Sequence, residues 1–129
     1  MFTDADVIHT YTRREAIQDG VLVDVSQAAR EAGFRIPVAM TARAWSECVA
    51  WPETESAIQD ESGRLWDVVF MAAAAARRAA RRKDGDRTTF DLHVVPRGGR
   101  VPCLTTLVLH VGPGDQGECV GTVMAPGED

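Results

Sequence analysis

The apolar positions along this chain change period near residue 85. Before it they recur at helical spacing; after it they alternate one by one. Thr12-Arg13-Arg14-Glu15 has the form of a capping box, in which the threonine hydroxyl accepts from the Glu15 N–H while Glu15 reaches back. The helix that follows should stop at Gly20, a natural left-handed terminator. Val21 to Val25 reads as extended and buried. Ser26 is the next expected N-cap, opening a helix through Ala32 that ends at Gly33. Ile36-Pro37-Val38 is extended, because the residue before proline avoids the helical region. Thr41 caps a third helix whose apolar face is Ala44, Trp45, Cys48 and Val49, ended by Trp51-Pro52.

Glu53 to Ser62 is polar and acidic and reads as a loop. The longest helix is expected from Gly63 to Arg82, capped by Ser62. Leu65, Trp66, Val68, Val69, Phe70 and Met71 make its first half apolar nearly all round, so this half is expected at the centre of the core. Its second half sets Arg77, Arg78, Arg81 and Arg82 at i, i+1, i+4, i+5, a solvated stripe at the negative end of the helix dipole. Lys83 to Asp86 terminates it.

Beyond residue 85, Phe90, Leu92 and Val94 alternate with Asp91 and His93, and Leu107, Leu109 and Val111 with Thr106, Val108 and His110. Cys119 to Met124 is a third strand. The turns Pro96 to Arg100 and Gly112 to Gly117 join strand to strand, which predicts an antiparallel meander. The expected fold is therefore α+β, one domain over residues 1–129. Its helical half (1–84) has three short helices and one long central helix. These pack on a C-terminal three-stranded antiparallel sheet (88–125).

Composition bounds this picture without changing it. The chain has 129 residues, is 45% hydrophobic and 26% charged, and so belongs with folded globular proteins rather than disordered ones. No apolar run approaches the roughly 20 residues of a membrane span, and Met1 to Asp6 has no basic residue, unlike a secretory signal. A cytoplasmic protein is the expectation. Cys48, Cys103 and Cys119 are odd in number and widely spaced, with no CxxC pair, and read as buried small hydrophobes. The net charge of −5 is segregated: residues 1–62 carry −6, residues 63–87 carry +4, and residues 88–129 carry −3. An acidic body thus bears one basic helix end.

Candidate chemistry is sparse. His9, His93 and His110 are the histidines, and the alternation puts His93, His110 and Asp91 on the polar face of adjacent strands. Two histidines without a placed third ligand make a poor zinc site. No serine lies in GxSxG, and neither glycine-rich turn leads into a helix as a phosphate cradle requires. No cofactor, metal or catalytic residue is assigned. Two surfaces could meet a partner. One is the acidic loop with Trp51, Glu53, Glu55, Asp60 and Glu61, in which Trp51 is expected near the surface. The other is the stripe Arg77, Arg78, Arg81 and Arg82, continued by Lys83 and Arg87. The stripe has no interleaved aromatics along the sequence, and the acidic balance argues against direct nucleic-acid contact. Trp45 and Trp66 read as packing residues. An unpaired sheet edge is a candidate contact for a second copy of the chain.

Several segments together carry a resemblance: Tyr11-Thr12-Arg13, Asp19 to Ser26, Ala29 to Arg35, Pro37-Val38-Ala39, Asp60 to Val68, Val95-Pro96-Arg97, Gly112 to Asp115 and Pro126 to Asp129. Over nearly its whole length the chain resembles a family of small uncharacterised bacterial proteins common on plasmids, integrated elements and phages. The resemblance transfers no reaction and no catalytic residue. It implies the setting in which small acidic proteins inhibit host defence, as anti-CRISPR or anti-restriction proteins. The expected function is a non-enzymatic inhibitor that binds a protein subunit of a CRISPR–Cas or restriction complex. The alternative is a small-ligand protein or enzyme that uses the sheet face around His93 and His110.

Overall fold

The computed structural model describes residues 11–52, 54, 59–82 and 85–128. The chain runs α1 (Arg13–Gln18), β1 (Leu22–Asp24), α2 (Ser26–Glu31), β2 (Val38–Thr41), α3 (Ala42–Cys48), α4 (Glu61–Arg82), β3 (Arg87–Val94), β4 (Cys103–Pro113) and β5 (Cys119–Met124). The strands form one five-stranded sheet in the order β1-β2-β5-β4-β3.

This corrects the expected division into a helical half and a three-stranded meander. The fold is α+β, but the first 41 residues already supply two strands. β3, β4 and β5 do pair antiparallel in succession. β5 then receives β2 on its other side in a parallel pair, Val38 opposite Gly121 and Met40 opposite Val123, and β1 adds antiparallel to β2. A parallel pair cannot be closed by a tight turn, so its crossover is long. Here it carries α3, α4, β3 and β4, and nothing local in either strand announces it.

Packing follows the strand alternation. One face presents Val38, Met40, Val123, Leu109, Leu107, Phe90, Leu92 and Val94, and α2, α3 and α4 cover it with Ala29, Ala44, Cys48, Val68, Val69, Ala72 and Ala75. The alanine run in α4 is what lets α2 and the sheet approach closely. α1 holds the opposite face: the Arg13 guanidinium donates to the Thr122 hydroxyl at 2.7 Å and to the Gly121 carbonyl at 2.6 Å. The capping box at Thr12 and Glu15 is present, and Asp115, in the β4–β5 turn, accepts from the N–H groups of Arg13 and Arg14 at 2.8 and 3.0 Å. Gly20 and Gly33 take the left-handed φ of +79° and +110° that end α1 and α2. Two caps differ from expectation. Ser26 lies inside α2, its hydroxyl donating to Asp24, and Asp60 rather than Ser62 accepts from the α4 N-terminus, at Gly63 N–H.

Candidate functional site

α4, with 22 residues, is the longest element among the described residues and presents a continuous outward surface. Its buried arc is set by Val68, Val69, Ala72, Ala73 and Ala75. At 3.6 residues per turn, Trp66, Phe70, Arg77 and Arg81 all fall within about 60° of the opposite arc, over roughly 22 Å of helix. The two aromatics are exposed, Trp66 at 41% and Phe70 at 49%, against the expectation of core positions for both. Their rings pack on each other, 5.9 Å between centroids at 40°. Arg77, Arg78, Arg81 and Arg82 are exposed as expected. The stripe therefore does have aromatic neighbours; they lie on its own arc, two to three turns toward the N-terminus. The helical wheel could have shown it, because Phe70 shares its angle with Arg77 and Arg81.

The basic surface continues beyond α4. A Cβ placed on Gly33, just past the end of α2, would lie 3.6 Å from Nη1 of Arg77, so the Arg77 guanidinium reaches across to α2. Alongside it, Ser26, Arg30, Phe34, Arg35, Ile36 and Pro37 line a groove of about 370 Å³. Arg30 and Arg35 are both exposed. Sequence spacing alone does not bring the end of α2 to Arg77; the packing of α2 on α4 does.

The acidic loop is a different matter. Glu53 and Glu55 lie outside the described residues, as do His9 and Lys83. Asp60 caps α4, its Oδ1 2.6 Å from the Gly63 N–H, and Glu61 accepts from the Trp51 N–H at 3.1 Å. Trp51 is buried, not at the surface, and its ring carries the guanidinium of Arg64 at 4.8 Å. Arg64 is 4% exposed. Its Nε donates to the Val49 carbonyl at 2.9 Å and its Nη1 to the Val95 carbonyl at 2.8 Å, while Nη2 is buried with no hydrogen-bond partner among the described residues. Beside it Cys48, Gln59, Asp67, Leu92 and His93 bound a cavity of about 10 Å³, the size of one water molecule. Burial lowers the pKa of this guanidinium, which stays charged all the same.

The histidines do not converge. His93 lies opposite Leu104 and His110 opposite Arg87, so they share a sheet face but stand six positions apart, roughly 20 Å. His110 Nε2 is 3.5 Å from the Asp86 carboxylate, and Asp91 accepts from the Thr106 hydroxyl at 2.6 Å. Among the described residues no group of three or more His, Cys, Asp or Glu side chains could hold a metal ion. Of the cysteines only Cys48 is buried; Cys103 and Cys119 are exposed. Burial, with the Glu47 charge acting in the same direction, pushes the Cys48 thiol up to about 11, so it is a proton-bound packing group at neutral pH. No helix among the described residues is long and apolar enough to cross a membrane.

A family of unknown function, DUF6573, matches residues 1–129, and the chain belongs to it. No curated protein and no solved structure matches the chain.

Proposed function

We propose that this chain is a non-catalytic inhibitor that docks an acidic segment of a protein partner along the outward face of α4. The observation that carries this reading is the placement of the exposed Trp66–Phe70 pair on the same helix arc as Arg77 and Arg81. Exposed tryptophan and arginine are the residue types that dominate binding energy at protein interfaces, the aromatic by desolvation and the guanidinium by fork-shaped hydrogen bonding to carboxylates. An acidic partner is steered to this surface because it is the one positive segment, +4 over residues 63–87, on a chain of net charge −5. A protein segment fits better than a nucleic-acid duplex, whose charge continues past any local patch and would meet the acidic remainder of the molecule.

The second surface considered from sequence is less suited. Asp60 and Glu61 are engaged in holding the start of α4 and the Trp51 backbone, and Trp51 itself is buried. The partner we assign is a subunit of a bacterial defence complex, CRISPR–Cas or restriction enzyme. That assignment comes from the resemblance to small proteins of plasmids, integrated elements and phages, since a fold alone does not specify a function. Expression of the chain in a host whose CRISPR–Cas or restriction system blocks a phage tests it. The wild-type chain restores plaque formation, and the variant R77E/R81E, soluble and folded, does not. Equal plaque counts with and without the wild-type chain across both kinds of system would overturn the defence assignment.

A further inference from the structure

The segment that joins α2 to β2 runs back along α2 and is pinned at both ends. At its start, Gly33 takes a φ of +110° and the Phe34 N–H donates to the Ala29 carbonyl at 2.9 Å, closing the last turn of α2. At its end, the Val38 N–H donates to the Ser26 hydroxyl at 3.1 Å, and the Val38 carbonyl accepts from the Val25 N–H at 2.9 Å. The groove between this segment and α2 is therefore preformed. Its volume of about 370 Å³ falls in the range of small-molecule sites. The chemistry of its lining is divided. Phe34 is buried, Ile36 half-buried and Pro37 exposed, and together they make an apolar wall. Arg30 and Arg35 are its charged residues; both are exposed, and neither makes a hydrogen bond or ion pair with a described residue. The Ser26 hydroxyl is already engaged by Asp24 and Val38.

We propose that this groove binds a small phosphate monoester whose body is apolar or planar. The charge of the lining selects an anion, because no carboxylate borders the groove to oppose one. Two guanidinium groups select a dianion: their planar forks match phosphate oxygens in pairs, whereas a lone carboxylate carries charge for one of them. The body of the ester lies along Phe34, Ile36 and Pro37 and takes their apolar surface out of water. Neither Arg77 nor Arg81 lines the groove, so the site stands apart from the α4 surface.

Amide chemical shifts of the full chain, titrated at about pH 7.5 where a phosphate monoester is mostly dianionic, test the site. The probes are naphthyl phosphate, adenosine monophosphate, inorganic phosphate and naphthol. At least one of the two esters gives saturable shifts centred on Ser26 to Pro37, and the tighter one tells whether the body is a hydrocarbon or a nucleoside. Inorganic phosphate and naphthol each bind at least about tenfold more weakly than that ester, because each offers half of the match. Arg30→Gln and Arg35→Gln each weaken the ester about tenfold. Both side chains are exposed, and circular dichroism checks that each variant is folded. The absence of saturable shifts with either ester overturns the proposal. So do shifts centred on α4, ester binding indifferent to both arginine variants, or inorganic phosphate binding as tightly as the esters.

Discussion

The guanidinium of Arg64 lies 4.8 Å from the ring centre of Trp51 and joins two distant carbonyls, Val49 before the loop and Val95 after β3. One side chain on α4 thereby holds the end of α3 and the end of β3 to the same helix turn. A buried cation held by carbonyls and a π face, rather than by a carboxylate, is there to satisfy backbone groups that would otherwise be orphaned. Arg64→Lys should destabilise the fold by about 3 kcal/mol, because an ammonium cannot bond both carbonyls from one planar fork. Urea denaturation measures this, and a loss below about 0.5 kcal/mol would mean that the two carbonyls find other donors.

Asp115 places the β4–β5 turn on the N-terminus of α1, accepting from two N–H groups about 100 residues away in sequence. A six-residue helix does not stand alone in water, so this cap and the reach of Arg13 to Thr122 are what hold α1 on the sheet. Asp115→Ala should cost about 1 kcal/mol. It should also raise amide hydrogen exchange in α1 selectively, leaving α4 protected. Uniform loss of protection would place α1 inside the main cooperative unit instead.

The three cysteines should separate by reactivity. Cys103 and Cys119 should react with a thiol reagent at neutral pH in the folded protein, and Cys48 only after unfolding. The Cys48 pKa of about 11 lies above that of an unfolded cysteine, so the folded state holds this proton more tightly. Its contribution to stability is complete below the unfolded pKa near 8.5 and is lost as pH rises toward 11. Cys48→Ala should remove that part of the alkaline decline in a series of urea titrations. An unchanged decline would assign it to other groups.

Trp66 and Phe70 pack on each other but are half-exposed and outside the core, so W66A/F70A should cost only about 1–2 kcal/mol. Two core aromatics truncated together would cost several times that. Thermal unfolding of the double variant makes the distinction, and a drop of core size would return both rings to packing roles.

What the sequence shows and what it hides divides along contact range. The capping box at Thr12, the glycine stops at 20 and 33, the Thr41 cap and the alternation through β3, β4 and β5 depend on neighbouring residues, and all are present. Val21 to Val25 and Ile36 to Val38 read as extended, but three- and four-residue strands carry no period of their own. Their membership in the sheet is decided by pairing across some 80 residues, from Val38 to Gly121. The apolar first half of α4 misled in a similar way. Its length of apolar sequence suggests full burial, whereas the wheel puts Trp66 and Phe70 on the arginine arc, which is exposed. Arg64 was invisible for the opposite reason: a lone arginine at a helix start looks solvated until the carbonyls it serves are in place.

Affinity capture with the tagged wild-type chain and R77E/R81E in parallel, from a lysate of a host carrying CRISPR–Cas and restriction systems, tests the α4 docking surface most directly. Mass spectrometry quantifies what each retains. The account predicts one defence-complex subunit recovered near stoichiometry by the wild type and reduced at least about tenfold with the charge-reversed helix, a loss of 1.4 kcal/mol or more. Equal recovery by both proteins, or no such subunit with the wild type, would contradict it.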